Sequence, residues 1–402
     1  MVYIAWKATV ALLLLSASTT SVTGYTPAST AGTDALAALA TGKLALYYAQ
    51  QYKLGNHTSC TLDNVAVRRE WSTLSASARK AYTTAVLCLM SKPSLNDPLT
   101  VPGAKSRFDD FVAVHINQTL SIHGTANFLS WHRFFTWTYE QALRSECSYA
   151  GYQPYWNWGK SALEPIHSPY FDGTDTSMGG NGEYEAHNCT PALPTGLNCI
   201  PPGEGGGCVT TGPFKDMTVN MGPIAPTLAE PEVVPAASLY AYNPRCLKRD
   251  ISPWVSSRWT TDRNSSDLIT GSGSGSGSGS GDIVAFQTAM QGDFANGVYG
   301  VHTGGHFTIG GDPGGDLFTS PGDPAFYLHH AQIDRTWFIW QNLDPGRRTR
   351  AIGGSIAFLD PTARNGTLED VIDLGVNAEA ITIGEVMSTV GLGGGPLCYV
   401  YV

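Results

Sequence analysis

Seven of the ten histidines in this chain fall in two short windows, and that clustering limits what the chain can fold into. His115, His123 and His132 form the first group; His302, His306, His329 and His330 form the second. A lone histidine is ordinarily a satisfied core or surface residue. That reading is adopted for His57, His167 and His187. That reading does not extend easily to seven of ten falling in two short windows. His302 and His306 are spaced so that both rings share one face of a helix. Gly304 and Gly305 between them are poor helix formers, so packing must hold that turn.

The hydrophobic periodicity predicts helices over Ala35 to Tyr52, Ser72 to Ser91, Trp131 to Cys147 and Pro324 to Leu343. The second has a cap at Ser72 or Ser75. The last opens on a proline, which a first helical turn tolerates. Two of these helices begin near a histidine, as in bundles whose ligands project inward from facing helices. Imidazole suits zinc, copper, iron and nickel. Paired zinc or manganese ions would normally share carboxylates, and Asp109, Asp110, Asp312, Asp316 and Asp323 lack ligand spacing with the histidines. Ligation by imidazole alone favours copper.

Other features place the chain in an oxidising compartment. Lys7 followed by the apolar run Ala8 to Ser16 and small residues to Gly24 reads as a secretory signal, too short to span a bilayer. The eight cysteines lie beyond it, and none forms a C-x-x-C pair, so disulfides of undetermined pairing are expected. Sequons at Asn56, Asn117, Asn188, Asn264 and Asn365 point to N-glycans. A net charge of -9 disfavours nucleic acid and anionic membrane surfaces as partners. Ser161 to Trp254, rich in Gly and Pro and holding four cysteines, reads as a loop region stapled by disulfides. The Gly-Ser alternation over 271–281 reads as a flexible excursion within one domain, because the histidine groups on either side must cooperate. Ala351 to Val402 reads as loops and short strands.

Several segments resemble the tyrosinase, catechol oxidase and hemocyanin superfamily of type 3 copper proteins. They are Ser130-Trp131-His132-Arg133, Pro154-Tyr155-Trp156-Asn157-Trp158, Gly300-Val301-His302 with His306, Ser320 through His330, Asp334-Arg335 and Trp340-Gln341. Arg68-Arg69-Glu70-Trp71 and Tyr139 to Arg144 are most similar to secreted ascomycete tyrosinase-like enzymes. The resemblance implies a mainly α fold: a central four-helix bundle around a dinuclear copper site, with disulfide-stapled loops and few short strands. It implies a signal peptide over 1–24, then one copper domain over 25–402. The Tyr399-Val400-Tyr401 ending is similar to the motif closing the catalytic core, and no C-terminal shielding domain is expected.

By the same resemblance His115, His123 and His132 would bind one copper, and His302, His306 and His330 the other. His329 would support the site without ligating. Phe326 would stack on a substrate ring, Thr319 would line the entrance, and Asp334 would orient a ligand imidazole or pair with a neighbour on the helix surface. Relatives that hydroxylate monophenols strongly hold a water with a Glu and an Asn, where this chain has Gln291 and Thr303. A neutral amide is not a general base at ordinary pH. Ser121 stands where many fungal relatives carry a cysteine crosslinked to a ligand ring. The implied activity is oxidation of small o-diphenols to o-quinones with reduction of O2 to water, with weak monophenol hydroxylation. Tyrosinase or o-aminophenol oxidase activity is the alternative within the enzyme class. A hemocyanin-like oxygen carrier is the alternative outside it, distinguished by the lack of catechol turnover.

Overall fold

The computed structural model describes residues 24–190, 199–228, 236–272, 281–358, 360 and 362–402. Residues 1–23 of the leader expected over 1–24, and residues 273–280 of the Gly-Ser tract, lie outside the described residues.

Nine helices of at least seven residues position the site among the described residues. They are α1 (Ala31–Lys53), α2 (Ala76–Ser91), α3 (Arg107–Ile122), α4 (Phe128–Glu146), α5 (Pro253–Trp259), α6 (Asp262–Thr270), α7 (Ile283–Gln291), α8 (Gly300–Ile309) and α9 (Ala325–Asn342). Ser75 caps α2, its side chain accepting from the Ala78 N–H. Pro324 stands at the start of α9 as expected. Helix α4 begins three residues before its predicted start, because Phe128 and Leu129 are already packed in the core.

Helix α3 was not among the predicted elements, although its signal is present. Ser106 and Asp109 form a reciprocal capping box, and Phe108, Phe111, Val112, His115, Thr119 and Ile122 recur at helical spacing on a buried face. The four histidine-bearing helices meet through α9, whose residues are buried on every face. It packs on α4 and α8, and α3 packs on α4. That arrangement is the predicted bundle. Helix α1 lies along the other side of α9.

Strands are few and short. Among the described residues they form four two-stranded pairs, one of them parallel, between Ala66–Arg68 and Tyr399–Tyr401. This pair ties the segment that follows α1 to the last described residues. Beside it the Cys60–Cys398 disulfide closes a separation of 338 residues. Cys88–Cys147 links α2 to the end of α4, while Cys189–Cys199 and Cys208–Cys246 staple the predicted loop region.

Asp334 has a role different from both that were expected of it. It bonds no imidazole and is not at the helix surface. Its buried carboxylate accepts from Arg68 Nη1 (3.3 Å), Arg133 Nε (2.6 Å), Tyr399 Oη (2.5 Å) and Tyr401 Oη (2.7 Å). A carboxylate so far from water is stable only if its charge and lone pairs are matched, and four donors match them. Among the sequon asparagines, Asn56, Asn117, Asn188 and Asn365 are exposed. Asn264 is half-buried, and its side-chain oxygen accepts from Thr261 at the start of α6.

Candidate metal centre

The two histidine groups converge as two triads facing each other, with one further ring. Ring nitrogens of His115, His123 and His132 lie within 4.8 Å of one another, as do those of His302, His306, His329 and His330. The groups touch where His132 stacks on His330, ring centroids 4.6 Å apart, and where His123 faces His302 at 5.9 Å. Helix α3 carries His115, and His123 stands at its C-terminal cap. His132 is on α4, His302 and His306 are on α8, and His330 is on α9.

The local partners decide which nitrogen of each ring is free. His115 Nδ1 lies 2.8 Å from the Phe318 carbonyl, His123 Nδ1 2.9 Å from that of Thr119, and His132 Nδ1 2.8 Å from that of Phe128. A carbonyl only accepts, so in each neutral ring Nδ1 carries the hydrogen and Nε2 is left as a bare lone pair. The Nε2 atoms of His115 and His132 are buried with no partner. His306 Nδ1 faces the Gly314 carbonyl at 3.3 Å, which aims its Nε2 inward. That Nε2 stands 3.2 Å from His330 Nε2, a pairing that needs a proton or a cation between the two atoms. Both nitrogens of His302 are buried without a partner. Unpaired buried nitrogens on this scale are costly, and a metal ion removes the cost. The residues therefore fit a pair of imidazole-bound ions.

His329 differs from its neighbours. The Trp158 indole N–H, which can only donate, donates to His329 Nδ1 at 3.0 Å. A neutral ring that accepts at Nδ1 carries its hydrogen on Nε2, so that nitrogen offers no lone pair to a metal. Gly305 makes room for this ring: a Cβ there would overlap it. Gly304 likewise lets Trp259 of α5 approach within 2.7 Å of where a Cβ would stand. The two glycines that looked unfavourable in a helix are what the packing of α8 requires. Trp158 ends the Pro154-Tyr155-Trp156-Asn157-Trp158 motif, whose spacing does not indicate this bond.

Burial sets the protonation of the site. It lowers His123 to about 4, against an opposing bond to Thr119, and His306 to about 3. It holds His115, His132, His302 and His330 well below the usual histidine value, with the neighbouring rings adding to the effect. All are neutral near pH 7, as metal ligands must be. Among the described residues neither metal-type group contains a carboxylate. Asp109 caps α3, Asp110 pairs with Arg107, Asp312 with Arg245 and Asp323 with Arg249. Of the six imidazoles, His306 alone is partly exposed, and the other five are buried.

The other expected residues have specific surroundings. Phe326 is 1% exposed and stacks on His330, centroids 4.0 Å apart. It also meets the His115 and His306 rings. Thr319 is buried against Gly222 and its hydroxyl has no partner. Gln291 ends α7, where its Oε1 accepts from the Gly124 N–H at 2.7 Å and its Nε2 donates to the Gln287 carbonyl at 3.1 Å. The Thr303 hydroxyl donates to the Gln291 carbonyl at 2.7 Å. His57, His167 and His187 stay outside the site. His57 packs on Tyr52, His167 bonds Glu164, and His187 bonds Asp250.

Residues 105–343 match the family model described as the common central domain of tyrosinase. The chain is 40% identical over 351 residues to Tyrosinase P of Aspergillus terreus, covering 84% of this chain and 92% of that one. It is 39% identical over 353 residues to an N-acetyl-6-hydroxytryptophan oxidase of Emericella nidulans, covering 85% and 93%. The structure is similar to that of a mutant polyphenol oxidase from Thermothelomyces thermophila, with TM-score 0.84 and 43% identity over 93% of this chain and 98% of that chain. In the described residues, no helix is long and apolar enough to cross a membrane.

Proposed function

The chain belongs to the tyrosinase family, copper oxidoreductases that use O2, and on that premise we propose that it is a secreted catechol oxidase. Its substrates in this reading are small o-diphenols, oxidised to o-quinones while O2 is reduced to water. The pair of coppers supplies the two-electron redox chemistry with O2 when bound. His115, His123 and His132 hold one ion, and His302, His306 and His330 hold the other. Main-chain carbonyls at Thr119, Phe128, Gly314 and Phe318 fix four of those rings in the tautomer that binds metal. Trp158 keeps His329 out of the ligand set. Phe326 braces His330, and the diphenol approaches over His306, the one partly exposed ring of the six.

The observation that carries the diphenolase reading is the state of Gln291 and Thr303. Their side chains are committed to Gly124, Gln287 and the Gln291 carbonyl. Neither is ionisable, and neither supplies the base that would deprotonate a monophenol. Oxygen uptake by copper-loaded protein is expected to be fast with catechol and L-DOPA and slow, with a long lag, for tyrosine. Tyrosine turnover as fast as that of L-DOPA would overturn the assignment. The similarity to an N-acetyl-6-hydroxytryptophan oxidase favours a second reading, oxidation of a hydroxyindole, so a hydroxyindole belongs in the same assay beside o-aminophenol.

A further inference from the structure

Both halves of the metal centre lean on one five-residue stretch. The Gly314 carbonyl orients His306, and the Phe318 carbonyl orients His115. These residues form turns and belong to no helix or strand, so no regular ladder of backbone bonds holds them. Asp316 lies at their centre and is buried. Its Oδ1 accepts from the N–H groups of Phe318 (2.8 Å) and Thr319 (3.1 Å). Its Oδ2 accepts from those of Ile224 (2.7 Å) and Ala225 (2.7 Å), which belong to a distant loop.

The neighbouring carboxylates are used differently. Asp312 and Asp323 each pair with an arginine, Arg245 and Arg249. Among the described residues Asp316 has no such partner; four backbone amides favour its charged form, against a burial that outweighs them and pushes its carboxyl above the usual range. Charge-assisted bonds of this kind are strong and directional. They fix the path of Gly314 to Phe318 more tightly than a turn of this composition would hold itself.

We propose that Asp316 is a positioning residue for both metal sites, setting the aim of His115 and His306 together through this turn. The inference rests on the assignment of those two histidines as ligands. The test uses the full chain with Asp316→Asn, which keeps the shape of the side chain but turns an NH2 group towards two of the four donors. In metal-free protein with labelled histidine, the Nδ1–H resonances of His115 and His306 are expected to shift together. Those of His123 and His132, bonded to Thr119 and Phe128, are expected to stay. Copper affinity, measured against a competing chelator, is expected to fall about 10- to 100-fold. Ala225→Pro removes one donor without touching the carboxylate. It should move the same two resonances by less, and it decides the question if Asp316→Asn does not fold.

A core change away from the site, Val86→Ala, controls for destabilisation. If Val86→Ala weakens copper binding as much as Asp316→Asn, or if both Asp316→Asn and Ala225→Pro leave the two resonances in place, the proposal is wrong. Should His115→Ala and His306→Ala still bind copper normally, the ligand assignment fails instead, an outcome the metal-free spectra do not depend on.

Discussion

Replacing Asp334 by Asn should cost about 4 kcal/mol of folding stability, through the buried network at the middle of α9. Asp334 is 3% exposed, and Arg68 and Arg133 are 0% and 1% exposed. The carboxylate accepts four bonds, two from guanidinium groups. The amide keeps one acceptor oxygen and loses the charge: three of the four bonds end on Oδ2 and can survive, while the NH2 group then faces Arg133 Nε. Hydrogen bonds to charged groups are worth about 1.5–3 kcal/mol each, and the change removes the one from Arg133 and weakens the one from Arg68. Breaking a buried pair on one side usually costs about 3–5 kcal/mol. Glu140, which accepts from Arg68 Nε at 2.9 Å, keeps that arginine from being wholly unpaired and sets the middle of the range. Unfolding entropy scales at about 2.1 cal/mol/K per residue, so the shift in Tm for a chain of 402 residues is about 5 °C. The measurement is guanidinium and thermal unfolding of metal-free protein, so that copper binding does not mask the change. Tyr399→Phe and the double variant close the cycle and isolate the contribution of the Tyr399 hydroxyl. A loss below about 1 kcal/mol for Asp334→Asn would show that the network is not under the electrostatic load described.

Other consequences can be measured directly. His330→Ala should reduce copper from about two ions per chain towards one, whereas His329→Ala should keep about two, by metal analysis of dialysed protein. Equal losses from the two variants would contradict the role of Trp158. Acid should destabilise the metal-free protein. His123 and His306 have folded values of about 4 and about 3, below the unfolded value of about 6.5, so below that pH the unfolded chain takes up protons that the folded chain refuses. Stability is then lost as pH falls through that window, by about 1.4 kcal/mol per pH unit for each ring, and the loss from His123 levels off near its folded value. His306→Gln should have a shallower slope by about one proton, and an unchanged slope would count against the assignment. Removing the Cys60–Cys398 bridge with paired serines should cost about 5 kcal/mol, because it closes a separation of 338 residues in the unfolded chain. A midpoint in denaturant unchanged from the parent would refute that account. Gly305→Ala should displace the His329 ring and break the Trp158 bond, seen as a change in the indole N–H resonance.

The sequence by itself determined the metal chemistry and most of the architecture. Seven clustered histidines without a carboxylate at ligand spacing require an imidazole site, and four helices could be read from the spacing of apolar side chains. Helix α3 was legible too, in its Ser106 cap and the recurrence from Phe108 to Ile122. What the sequence does not hold is the identity of main-chain partners. The carbonyls of Phe318, Gly314, Thr119 and Phe128 select the free nitrogen of four rings, and every residue has a carbonyl, so side-chain identity carries no trace of which ones are used. The tautomer of His329 is set by a side chain instead of a carbonyl. It depends on Trp158, 171 positions earlier in the chain, reaching one ring and not the other. Asp334 could be recognised as important but not located, because its partners come from Ala66–Arg68, α4 and Tyr399–Tyr401, segments that only the closed fold brings together. Residue type and spacing specify which chemistry is available, while tertiary packing decides which atom of each side chain is left to perform it.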